Sequence, residues 1–235
     1  MYNARDTMYN MHCQAIGTGE GETVHTKSEI NELIRLLEEC YPESYCALEY
    51  EKDYELLFST RLAAQCTDER VNTITPVLFE RYPSLEALAG ADIADIESII
   101  FPCGFFRTKA RDIIDASAML LSEYNGQVPD TMEDLLRLPG VGRKTANLIL
   151  GDIHNKPAVV VDTHCIRLSN RIGLVDTKNP VKIESELREM LPPEKSSDFC
   201  HRLVLHGRAV CTARKPACGE CSIGRVCRKQ GVGIL

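Results

Sequence analysis

The sequence predicts an all-α fold, on three observations. Apolar residues recur at helical spacing along nearly the whole chain. The helical segments are separated by capping residues, glycines and prolines. No two segments of alternating pattern face each other across a turn, as paired strands would. With 235 residues, of which 44% are hydrophobic, the chain is long enough for one large domain or two small ones.

The elements follow in order. SEINELIRLLEECY (28–41) places Ile30, Leu33, Ile34 and Leu37 on one face, with Ser28 as a candidate cap. DYELLFSTRLAAQCT (53–67) is strongly apolar and reads as a buried helix, followed by DERVNTITPVLFERYP (68–83). SLEALAGA (84–91) opens on a cap and closes on glycine, and DIADIESIIFPCG (92–104) stops at Pro102 and Gly104. TKARDIIDASAMLLSEYNG (108–126) is amphipathic and closed by Asn-Gly. TMEDLLRLPG (131–140) is short, and TANLILGDIHN (145–155) follows it. AVVVDTH (158–164) is a brief β-branched run, with Asp162 placed to cap the helix THCIRLSNRIG. VKIESELREMLP (181–192) and SSDFCHRLVLHGRAVC (196–211) complete the series.

Composition narrows the function classes. No run of 18 or more apolar residues is present, so no membrane partner is expected. Residues 1–26 are polar and rich in Gly, Thr and Glu, lack the apolar core of a secretory signal, and are expected to form a flexible extension. Eleven cysteines, an odd number, argue for reduced thiols and a cytoplasmic location rather than a disulfide framework. The net charge of −7 is unevenly spread. Residues 1–136 hold 10 Lys and Arg against 25 Asp and Glu, a balance of −15; residues 137–235 hold 17 against 9, a balance of +8. Such asymmetry hints at a polyanionic partner, although two solvated faces of opposite sign would look the same.

LPGVGRKTANLIL (138–150) reads as a tight glycine turn running into a helix. Together with the preceding LLRL it forms a helix–hairpin–helix, at about residues 134–155. The backbone N–H groups of such a hairpin, with the dipole of the second helix, bind an anion without reading a base. Lys144 stands in the first turn, where a cation is disfavoured. Most lysines there are solvated surface residues, but a nucleophile is the alternative. A neutral amine at pH 8 would need about 3 kcal/mol of differential interaction, and a helix start supplies ~0.3–1 kcal/mol. Desolvation or a neighbouring cation such as Arg143 would have to supply the remainder. Asp162, 18 residues further on, suits a helix cap accepting from His164 or Cys165. A cap held ionised by N–H donors could also activate an attacking group or stabilise a developing oxocarbenium ion.

At the C-terminal end Cys211, Cys218, Cys221 and Cys227 give C-x6-C-x2-C-x5-C. Structural zinc sites usually use two closely spaced pairs, and only one pair here is close. The spacing favours a single [4Fe-4S] cluster over zinc. Arg214 and Lys215 lie inside the loop that such a cluster would tether, placed to meet phosphates.

LPGVGRKTANLIL, VVVDTH and the cysteine spacing, in this order, closely resemble the endonuclease III family, the iron–sulfur base-excision-repair glycosylases of the helix–hairpin–helix superfamily. The resemblance covers about residues 28–235. It implies two helical lobes, a six-helix lobe over 46–156 and a cluster lobe combining 27–45 with 157–235, with a DNA-binding cleft between them. Lys144 matches the family's Schiff-base lysine, Asp162 its catalytic aspartate, and the four cysteines its cluster ligands. LAAQCTD resembles the family's L-S-A-Q-x-T-D segment, with Ala63 for the usual serine. Gln65 there corresponds to the residue that fills the gap left by an extruded nucleotide. In CGFFRTKA, Phe105 stands at the apolar wedge, where leucine is common. Leu138, Gly140, Val141, Gly142, Arg143 and Thr145 match the hairpin that contacts DNA, and His164 a residue that shapes the base pocket.

The resemblance implies a bifunctional DNA glycosylase and abasic-site lyase, acting as a monomer in the bacterial nucleoid on duplex DNA with damaged pyrimidines or abasic sites. An adenine-specific mismatch glycosylase would lack the lysine, which is present here. Removal of alkylated or mismatched bases, as by other members of the superfamily, is a second alternative, one that the pocket residues could permit. A non-catalytic DNA-binding or redox-sensing module would need neither Lys144 nor Asp162.

Overall fold

A computed structural model describes residues 25–233. Among these, the chain forms eleven α-helices and three short 3-10 turns, with no strand. It divides into two compact units, Met1–Tyr45 with Pro157–Leu235, and Cys46–Lys156.

The Cys46–Lys156 unit holds seven helices: α2 (Asp53–Leu62), α3 (Asp68–Arg81), α4 (Leu85–Ala89), α5 (Ile93–Ile100), α6 (Phe106–Glu123), α7 (Met132–Arg137) and α8 (Arg143–Asp152). The long α6 packs on α2, α4 and α5. Its core is aliphatic, built on Leu56, Leu62, Leu78, Ile96, Ile113 and Leu120, each fully buried. Local capping sets most helix starts. Thr67, Ser84 and Thr131 each accept the N–H three residues on, and Asp92 accepts those of Ala94 and Asp95.

The other described unit contains α1 (Lys27–Cys40), α9 (Thr163–Ile172), α10 (Pro180–Met190) and α11 (Ser196–Ala209). Helix α11 packs against both α1 and α9. The run Ala158–Val161 is buried and extended but pairs with no strand; Ala158 N–H donates instead to Ser196 Oγ at 3.1 Å. The α1 cap is Thr26, not Ser28, in a full capping box with Glu29. The expected extension over 1–26 lies outside the described residues up to residue 24. His25 is buried, with Nε2 3.0 Å from Ile172 O.

One expected helix stops early. The segment 53–67 ends as α2 at Leu62 and continues as a turn in which Gln65 has φ 57°. No glycine or proline in the segment announces that stop; a buried ammonium from α6, described below, causes it.

Candidate functional site

The hairpin joins α7 to α8 through Leu138–Gly142. Leu138 ends α7 and its side chain is buried, so it anchors the turn from inside and offers only its backbone outward. Its carbonyl accepts Val141 N–H at 3.1 Å. Gly140 has φ +75° and needs to be glycine. Gly142 has φ −103°, so the left-handed conformation expected of both glycines occurs only at the first. A Cβ on Gly142 would meet nothing within 4 Å, which leaves the start of α8 open to a ligand.

No side chain caps α8, and its first turn carries no acid. Its leading N–H groups therefore have the anion preference of an uncapped helix start. Arg143 and Lys144 are exposed there, with Thr145 half-buried behind them. Cys46 lies near Lys144, Asp68 and Asp152; its half-buried thiol is pushed up to about 12, chiefly by burial.

Asp162 is the N-cap of α9, and its Oδ1 accepts Cys165 N–H at 2.7 Å. Of the two donors considered for it, Cys165 is the one used. The carboxylate is thus oriented by the backbone while remaining half-exposed. Two residues on, His164 Nδ1 lies 3.1 Å from Arg167 Nη2, a contact in which the guanidinium donates. Arg167 also donates to Gly207 O and Cys211 O, both at 3.1 Å. Gly207 permits this packing: a Cβ there would fall 2.5 Å from His164 Nδ1.

Two non-glycine residues of the Cys46–Lys156 unit adopt left-handed backbone conformations at expected DNA contacts. Gln65 (φ 57°) is exposed at its turn, and Phe105 (φ 49°) precedes α6 with 67% of its surface exposed. Each such conformation costs on the order of 1–3 kcal/mol and persists only when surrounding contacts impose it. Phe101, also exposed, stacks beside Phe106 at 5.0 Å between ring centroids.

Cys211, Cys218, Cys221 and Cys227 line one pocket, with Arg171 and His206 in its wall. Burial pushes the Cys221 thiol up to about 12, and the other three thiols push it further in the same direction. Cys221 is poorly placed to ionise unless a cationic group takes up the charge, which fits an iron–sulfur group held by thiolates. Donors already face the sulfurs: Arg171 Nη1 to Cys211 at 3.4 Å, Lys229 N–H to Cys227 at 3.4 Å, and His206 Nε2 3.4 Å from Cys221. His206 is fully buried, and burial lowers its pKa to about 4, so the ring is neutral. With the proton on Nε2, Tyr41 O–H donates to Nδ1 at 3.0 Å and Nε2–H donates to the sulfur. Among the described residues, no three His, Cys, Asp or Glu side chains converge on a point that would hold a single metal ion.

Arg214 and Lys215 are exposed in the loop between the first two cysteines. Arg171 pins that loop, donating to Thr212 O at 2.7 Å and Ala213 O at 2.8 Å. Arg225, within the last cysteine loop, and Arg228, just after it, pair with Glu32 and Glu29 of α1. Arg171, Arg167, His206 and Tyr41 were not singled out from sequence. The only sequence hint is that Arg167 and Arg171 share one face of α9, four residues apart.

Residues 58–193 match the model of the HhH-GPD superfamily base excision DNA repair protein, and residues 211–227 match the iron–sulfur binding domain of endonuclease III. The chain is 46% identical over 202 residues to endonuclease III of Synechocystis sp., covering 86% of this chain and 92% of that protein. Two solved structures, a non-covalent endonuclease III–DNA complex and a trapped endonuclease III–DNA covalent intermediate, each superpose with a TM-score of 0.82 at 36% identity. In each case the match covers 88% of this chain and 97% of that one. No described helix is long and apolar enough to cross a membrane.

Proposed function

The chain belongs to the endonuclease III family of base excision DNA repair glycosylases, and we propose that it is a bifunctional glycosylase and abasic-site lyase for oxidised pyrimidines in duplex DNA. The observation that carries this reading is the place of Lys144: exposed in the first turn of α8, directly after a glycine hairpin, at a helix start with neither side-chain cap nor acid.

The amides from Gly142 to Thr145, at the hairpin's exit into α8, hold a phosphate of the damaged strand. That grip presents the adjoining sugar to Lys144. Asp162, aimed by Cys165 N–H, steadies positive charge at the sugar as the base departs. The Lys144 amine forms a bond to C1′, and the glycosidic C–N bond breaks with its electron pair leaving on the base. Loss of the amine protons and opening of the ring give a Schiff base. Its electron demand acidifies C2′–H; removal of that proton expels the 3′ phosphate, and water then releases the lysine. Gln65 and Phe105 occupy the space left in the stack when the nucleotide is extruded, a step made easier at a damaged pair. His164 borders the extruded base. The protein acts as a monomer in the bacterial cytoplasm, close to the chromosome.

The four cysteines hold a [4Fe-4S] cluster. The C-x6-C-x2-C-x5-C spacing, with only one close pair, suits a cluster better than zinc. The cluster's contribution is structural: it holds the Arg214–Lys215 loop, which Arg171 also pins, ready for backbone phosphates.

Borohydride trapping tests the reading. Wild type incubated with duplexes bearing thymine glycol or an abasic site is expected to yield a covalent adduct, and Lys144→Ala is expected to yield none while still binding. Tight binding by wild type without an adduct would instead indicate a glycosylase with no lyase step.

A further inference from the structure

Lys109 lies on α6 and is 1% exposed, yet it carries an ammonium group. Such a group is tolerated in a core only when every donor is satisfied. Here the three donors meet three carbonyls: Leu62 O at 2.8 Å, Ala64 O at 2.9 Å and Cys103 O at 2.9 Å. Burial lowers the pKa of Lys109, and the nearby Cys66 and Cys103 thiols oppose that shift.

The three acceptors come from two separate loops. Leu62 ends α2, and Ala64 immediately precedes Gln65. Cys103 stands two residues before Phe105. The main chain of Lys109 adds a fourth tie, its N–H donating to Phe105 O at 3.1 Å. One side chain therefore closes the end of α2, bends the chain into the Gln65 turn, and fastens that turn to the loop carrying Phe105. Gln65 and Phe105 are the two non-glycine residues with left-handed backbone that flank it. A neutral side chain of similar length would fill the space but withdraw the donor from all three carbonyls, with the contacts to Leu62 O and Cys103 O buried.

We propose that Lys109 is the positioning residue that makes the Gln65 turn and the Phe105 loop a single rigid element, so that both side chains enter a damaged duplex together. This rests on the glycosylase reading for its consequence in DNA, but the coupling of the loops does not depend on it.

Hydrogen exchange on the intact protein tests the coupling without DNA. Lys109→Met is expected to raise exchange together in segments 62–66 and 103–106, with the α4 and α7 amides unchanged; a rise in only one loop, or in neither, would overturn the coupling. The trapping assay tests the consequence. On an abasic site in single-stranded DNA, where no stacked partner has to be displaced, Lys109→Met should trap within about threefold of wild type, while its single-turnover rate on a thymine glycol duplex falls at least tenfold. Equal losses on both substrates would mean general disruption and overturn the positioning role. Absence of trapping by wild type would refute the lyase reading and leave the exchange result standing by itself. Should Lys109→Met fail to fold, Gln65→Ala, Phe105→Ala and their combination in the wild-type background serve instead. Losses on duplex that combine to well short of their product indicate one element, and independent losses overturn it.

Discussion

Arg61 grips Asp112 beside Gly140. Arg61 Nε donates to Asp112 Oδ2 at 2.6 Å, and a Cβ built on Gly140 would stand 2.7 Å from each of those atoms. The hairpin thus rests on an ion pair between α2 and α6, and glycine at 140 answers two demands: a positive φ and room for the pair.

Gly140→Ala should therefore cost about 2 kcal/mol of stability, from backbone strain and displacement of the ion pair together. Gly142→Ala should change stability by less than about 0.5 kcal/mol, because its φ is ordinary and its surroundings are open. Its methyl would instead keep a phosphate away from the start of α8. Denaturant melts and duplex-binding titrations of the two variants should show opposite patterns. Equal melting midpoints would refute the role given to the ion pair.

Asp162→Asn separates capping from chemistry. Asparagine caps a helix about as well as aspartate, so the melting temperature should hold. Base release under single-turnover conditions should fall at least about 100-fold, because the negative charge beside the sugar is gone. An unchanged rate would remove Asp162 from the mechanism.

Arg171→Met withdraws donors from Thr212 O, Ala213 O and Cys211 Sγ at once. The cluster should then be lost faster to an iron chelator, followed by decay of visible absorbance. Duplex affinity should fall, since the Arg214–Lys215 loop loses its anchor and must be ordered on binding. Chelator kinetics identical to wild type would show that the loop needs no second anchor.

Cys46 stands near Lys144, and burial pushes its half-buried thiol up to about 12. A thiol there holds about 1000-fold less thiolate at pH 8 than one titrating near 9. Iodoacetamide at pH 8 should spare Cys46 in the folded protein, and modification should become appreciable only as the pH is raised toward 12. Mass spectrometry of the alkylated peptides settles it; rapid labelling at pH 8 would contradict the burial.

Much of this was legible in the sequence because it is local. The hairpin, the first-turn position of Lys144, the Asp162 cap and the cysteine spacing each lie within a few residues of chain, where propensity and capping rules act. Helix starts at Ser84, Asp92 and Thr131 follow the same logic. Of the misread boundaries, the α1 cap at Thr26 has a local cause, its capping box with Glu29, and the end of α2 has a distant one. Helix α2 stops at Leu62, where the ammonium of Lys109, 47 residues away, takes its last carbonyl, and nothing in LAAQCTD signals that. Arg61 and Asp112 meet across 51 residues, and Tyr41 reaches His206 across 165. By itself the sequence determined the helical class and the family, and it singled out the candidate site residues, since those are written in short patterns. Only the tertiary structure decided which buried charges and donors hold those residues in place. A buried polar group must find its partner wherever packing brings one, and sequence spacing does not encode that distance.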